Sequence, residues 1–156
     1  MAGKPVAATP AGFAGPPHIR DASGALVAWF TEPPGALIQV AEPCQLTVDM
    51  ARWLVGPGFA ALEARFPEPA RLILVLDLGL MTGRDVAVRP LIVDLAKTLR
   101  PRLARAIVIP PQRASALYIA SLKTGVAVLR VFGVTVEVAR SLPEVVTTAA
   151  LGPAQG

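Results

Sequence analysis

The run RLILVLDL, Arg71–Leu78, constrains this chain more than any other stretch. It is apolar without alternation and sits between PEPA and Gly79. An unbroken apolar run bounded by turn residues predicts a strand covered on both faces, the kind found inside a mostly parallel sheet. RAIVI, Arg105–Ile109, repeats the pattern and is stopped by Pro110-Pro111.

The remaining elements are read around these two strands. ALVAWF (Ala25–Phe30) and ALIQVA (Ala36–Ala41) are short and strand-like, and TEPPG between them is a turn cluster, which predicts a β-hairpin. QLTVDMARWLVGPGFAALEARF predicts a helix capped by Thr47, with Asp49 in its first turn. Val55, Phe59, Leu62 and Phe66 fall on one face of it, and Pro57 in GPG predicts a kink or a split into two helices. After Leu78 the segment LDLGLMTGRD predicts a strand running through a tight turn into a helix carrying Val88, Leu91, Leu95 and Leu99. Pro90 marks the start of that helix or kinks it, and Pro101 helps to end it. QRASALYIASLKTGVAVLRVF predicts a long helix with Tyr118, Leu122, Gly125, Leu129 and Phe132 on one stripe. VTVEVA alternates like an edge strand, and Ser141 with Glu144 forms a capping box for a last short helix. The order is ββαβαβαβα: an α/β fold with a mixed, mostly parallel sheet, an N-terminal β-hairpin and helices packed on it.

The chain has 156 residues, which suits one domain, read here as 21–151. Residues 1–20, rich in Pro, Ala and Gly, are expected to form a flexible tail, and 152–156 a frayed end. With 53% hydrophobic and 17% charged residues, disorder of the whole chain is excluded. No apolar run reaches membrane-spanning length, since GVAVLRVFGVTVEVA is cut by Arg130, Gly133 and Glu137. The N-terminal sequence lacks the apolar core of a secretory signal. With a single cysteine, Cys44, a reducing cytoplasmic location is expected.

These residues resemble the STAS domain, specifically its SpoIIAA-like, anti-sigma factor antagonist-like branch. The resemblance is carried by LILVLDLGLMTG as strand, loop and helix start, by RAIVIPPQRASALYIASLKTG as strand, Pro loop and helix, and by FGVTVEVARSLPEVV as last strand and helix. It implies a non-catalytic regulatory or scaffolding module that binds a protein partner (a regulatory kinase, an anti-sigma-like protein or a scaffold). In antagonist members the loop reads Asp-Ser-Ser/Thr-Gly, and the Ser after Asp is phosphorylated. Here the run is Leu80-Met81-Thr82-Gly83. Thr82 and Gly83 match, Leu80 stands at the Asp position, and Met81 stands at the phospho-acceptor. Thr82 is the hydroxyl left for phosphorylation, and a phosphate there would gain from a helix N-terminus. The expected partner-binding residues are Met81, Thr82, Gly83, Arg84, Asp85 and Arg89.

Other candidates carry less chemistry. Asp77 ends a central strand, where such sheets place ligands, but as a lone Asp it reads as a turn cap. Asp77 and Asp85 make a weak pair for Mg²⁺. No phosphate-cradling loop, nucleophile–base pair or metal cluster is visible, so neither enzyme activity nor a cofactor is expected. Arg84 and Arg89 could grip an anion. The seven basic residues from Arg84 to Arg113 face only Asp85 and Asp94 and carry no interleaved aromatics. They read as a solvated helix face or a surface for an acidic protein, and not for nucleic acid. Cys44, Trp29 and Trp53 read as packing residues. The long helix is apolar on more than one side, which suggests burial against a second copy of the chain or an apolar ligand. The alternative function is therefore an apolar small-molecule or lipid-binding protein.

Overall fold

The computed structural model describes residues 12–13, 15–113 and 115–155. Strands β2 (Leu26–Glu32) and β3 (Gly35–Val40) form the antiparallel hairpin. Then β5 (Leu72–Asp77), β7 (Leu103–Ile109) and β8 (Val136–Val138) join in parallel, in the order β3-β5-β7-β8. The run Arg71–Leu78 is thus an interior strand, flanked by β3 and β7. Gly35, paired with Ile73, is where the hairpin meets it. A Cβ at Gly35 would run into the carbonyl of Ile73, so only glycine lets the backbones come this close.

β5 feeds both faces of the sheet, as the apolar run predicts. Leu72, Leu74 and Leu76 pack with α1 (Val48–Trp53), α2 (Phe59–Arg65) and α3 (Val88–Leu99). Ile73 and Val75 pack on the opposite face, against α5 (Leu142–Thr148) and Phe13. The fourth long-range helix, α4 (Ala116–Val131), lies on the same face as α3, with Tyr118 against that cluster.

The helix ends follow their sequence signals. The Thr47 hydroxyl accepts from the N–H of Met50 and caps α1. Pro57 does not end the helix. It sits in a wide π-type turn, Leu54–Gly58, that joins α1 to α2. Ser115 caps α4, and Gly133, at φ +81°, closes it: the N–H of Val134 reaches the carbonyl of Leu129, and that of Gly133 reaches Arg130. Ser141 caps α5, while the Glu144 carboxylate accepts from the N–H of Arg140.

Three expectations need correction. Residues 1–11 and 14 lie outside the described residues, but the rest of the expected tail is packed. Phe13 is buried edge-on to Trp29, whose indole N–H donates to Gly15. His18 stacks on Phe30 and accepts from its N–H, and Ile19–Arg20 pairs with β2 as β1. The C-terminal end also pairs with β2, through Gly152–Pro153 as β9, and Ala154 is buried. Finally, the chain does not run straight from the Leu78 turn into a helix. Met81–Arg84 forms a strand, β6, paired in parallel with β4 (Cys44–Leu46), and α3 starts only at Val88.

Candidate functional site

β6 rearranges the expected docking residues. Met81 is 5% exposed and packs in the core, so it has no surface to offer a partner. Thr82 is exposed, but it lies within a strand and not at a helix N-terminus, so the electrostatic support expected for a phosphate there is missing. Gly83 has no left-handed φ, and a Cβ on it would meet nothing within 4 Å. Its match to the family motif therefore answers to no steric need. The Asp85 carboxylate accepts from the N–H of Ala87, while Val86 beside it is 89% exposed.

Asp77 is the turn cap that its position suggests. One carboxylate oxygen accepts from the N–H of Gly79 at 2.9 Å and the other from the Gln39 side-chain amide at 3.0 Å. Among the described residues no group of three or more His, Cys, Asp or Glu is placed to hold a metal ion. Partial burial, together with Glu42 and Asp21, pushes the Cys44 thiol above its ordinary pKa, which makes it a weaker nucleophile at neutral pH.

The basic run does not form one solvated face, because its members are dispersed over several elements. Arg102 is buried and donates to the carbonyls of Phe66 and Ala70. Arg105 pairs with Glu137 through two hydrogen bonds of 2.9 and 2.7 Å, which draws the Glu137 carboxyl below its ordinary range. Lys97 sits over the ring of Phe132. Arg84 and Arg89 turn inward and meet.

Where they meet is the feature with most chemical content. A cavity of about 150 Å³ lies between the sheet, α3 and α4. Its walls are mostly apolar: Leu78 from the β5–β6 connection, Met81 from β6, Val88 and Ile92 from α3, Leu122 and Val126 from α4. It exists because α4 stands off the sheet. None of the sixteen residues of α4 is buried. Of the predicted stripe, Tyr118, Leu122, Gly125 and Leu129 line the cavity but Phe132, just past the end of α4, does not, while Leu117 and Val131 point to solvent, 82% and 83% exposed.

Four side chains with polar atoms, Arg84, Arg89, Tyr118 and Ser121, interrupt this apolar wall. The Nη2 atoms of Arg84 and Arg89 both donate to the Ser121 hydroxyl at 3.0 Å, and Arg89 also reaches the Ser121 carbonyl at 3.3 Å. The two cationic nitrogens therefore lie within about 6 Å of each other. At an effective dielectric near 20, two unit charges at that distance repel by about 3 kcal/mol, and by less where water reaches them. The ion pairs among the described residues are Asp49–Arg52 and Arg105–Glu137, so neither guanidinium is in an ion pair with a described carboxylate. Burial raises the pKa of the nearby Tyr118 hydroxyl, and the charge of Arg84 opposes that rise.

Sequence reasoning named Arg84 and Arg89 as an anion grip but missed Ser121. The available signal was a hydroxyl one turn from Tyr118, inside an otherwise apolar helical stripe.

No protein-family model and no curated protein matches this chain. Among solved structures it is similar to an uncharacterized protein from the DUF3478 family with a SpoIIAA-like fold, from Shewanella loihica PV-4. The superposition has a TM-score of 0.53 at 10% identity and covers 80% of this chain and 91% of the other. A likeness at that identity speaks to architecture alone. On that ground, and on its own strand order, this chain has a SpoIIAA-like fold.

Proposed function

We propose that this protein is a non-catalytic binding module that holds a small, mainly apolar molecule between α3, α4 and the sheet. The observation that carries this reading is the cavity of about 150 Å³ under a helix with no buried residue. Apolar pockets with a few convergent polar groups are the usual form of small-molecule sites. A cavity of this size accommodates roughly a benzene ring, so the expected ligand has a compact ring or a short chain as its apolar part. Binding would supply the contacts that α4 lacks, so ligand and helix order together.

The test is a titration of the protein with benzene, followed through its methyl resonances. Saturable shifts confined to Ile92, Leu122, Val126 and their neighbours are the expected result. Shifts absent there, or spread equally to Val75 and Val145 on the other face, would overturn the reading.

A second reading rests on Thr82 and Val86, which stand exposed on the connection before α3. There a protein partner could dock, with Thr82, Asp85 and Val86 as contacts. Loss of a specific partner on Val86→Glu, with benzene binding unchanged, would separate this surface from the cavity.

A further inference from the structure

Arg84, Arg89 and Ser121 lie on the wall of an apolar cavity, an arrangement that folding alone does not call for. An arginine kept for stability usually finds a carboxylate or fills its hydrogen bonds on backbone carbonyls. Arg105 does the first with Glu137, and Arg102 does the second at Phe66 and Ala70. Arg84 and Arg89 instead share one neutral hydroxyl, to which Arg89 adds a single 3.3 Å bond to the Ser121 carbonyl, and among the described residues no carboxylate pairs with either. Each guanidinium has five N–H donors in a planar fork that matches an oxyanion. The Ser121 oxygen, accepting from both, still has its own proton to donate.

We propose that these three side chains form the head-group site for the cavity's ligand, which is a small amphiphile bearing an oxyanion, either a carboxylate or a phosphate monoester. This rests on the reading of the cavity as a binding site. The anion would replace the shared hydroxyl as the acceptor between the two guanidinium groups and remove their repulsion. The apolar part, roughly ring-sized or a short chain, would lie against Ile92, Leu122 and Val126.

Calorimetric titration with hexanoate, hexyl phosphate and 1-hexanol tests both levels at once. At least one anion is expected to bind ten-fold or more tightly than the alcohol, and the tighter of the two identifies the head group. In Arg84→Gln and Arg89→Gln that preference should fall below three-fold, with the methyl resonances of Val75 and Val145 on the other face unshifted as proof that the fold is intact. Ser121→Ala, which touches neither charge, should lower the preference at least three-fold. Arg52→Gln removes an equal charge on α1, outside the cavity, and should leave the preference in place. Equal binding of alcohol and anions by the wild-type protein would overturn the head-group site and leave the cavity reading standing. A preference that survives both arginine substitutions, or falls equally in Arg52→Gln, would also overturn it. Failure of all three compounds to bind would overturn both.

Discussion

Two arginines in the same basic run have opposite roles, and their surroundings decide which. Arg102 is 6% exposed and closes the turn after α2 by donating to Phe66 at 2.6 Å and Ala70 at 3.0 Å. Hydrogen bonds to a charged donor contribute about 1.5–3 kcal/mol, and truncating the donor strands its acceptors. Arg102→Ala is therefore expected to lower the melting temperature by roughly 3–12 °C in a chain of this size, read by calorimetry. Arg102→Lys should recover only part of this, because a point ammonium lacks the fork that spans two carbonyls. Arg84→Gln should cost far less stability, since it relieves the repulsion with Arg89. Sequence alone does not distinguish these two residues. Both belong to one basic run, and what separates them is which backbone or hydroxyl the fold brings within about 3 Å.

At the scale of elements, the legible parts were those whose pattern is local. The unalternating runs at β5 and β7, the Pro-Gly hairpin turn, the Thr47 and Ser141 caps and the helix irregularity at Pro57 each carry their signal within a few residues. The missed elements are short pairings made at long range. β4 and β6 are three and four residues long, and Cys44 pairs with Met81 across two helices and β5. β1 and β9 are two residues each and lie in Pro- and Gly-rich ends, whose composition reads as loose chain until β2 is there to pair with them. For the site, the α4 stripe was visible in the sequence, but its distance from the sheet was not. Gly125 tests that distance. It lies in the middle of α4, and a Cβ there would meet nothing within 4 Å. Gly125→Ala is expected to raise stability by about 0.5–1 kcal/mol, the helix preference of Ala over Gly without a clash. A destabilised variant in a denaturant melt would show α4 packed tightly at that position.

The whole molecule is built unevenly about its sheet. On one face α5, with Leu142 and Val145 buried, and Phe13 close over Val75, Ile107 and Ile109, and they leave little room. On the other face α1, α2 and α3 pack against the sheet, but α4 covers the remainder without burying a residue. The cavity is the gap this leaves, and Arg84, Arg89 and Ser121, with Tyr118 beside them, bring polar groups to it. The fold shared with the DUF3478 protein explains the strand order. The cavity depends on how this chain sets α4. The most direct test fills it. Gly125→Phe places a ring in the cavity from the helix that roofs it, and 1-hexanol binding to this variant can be measured by calorimetry against the wild type. A folded variant whose affinity drops at least ten-fold is the expected result. A folded variant that binds 1-hexanol as tightly as the wild type would contradict the account.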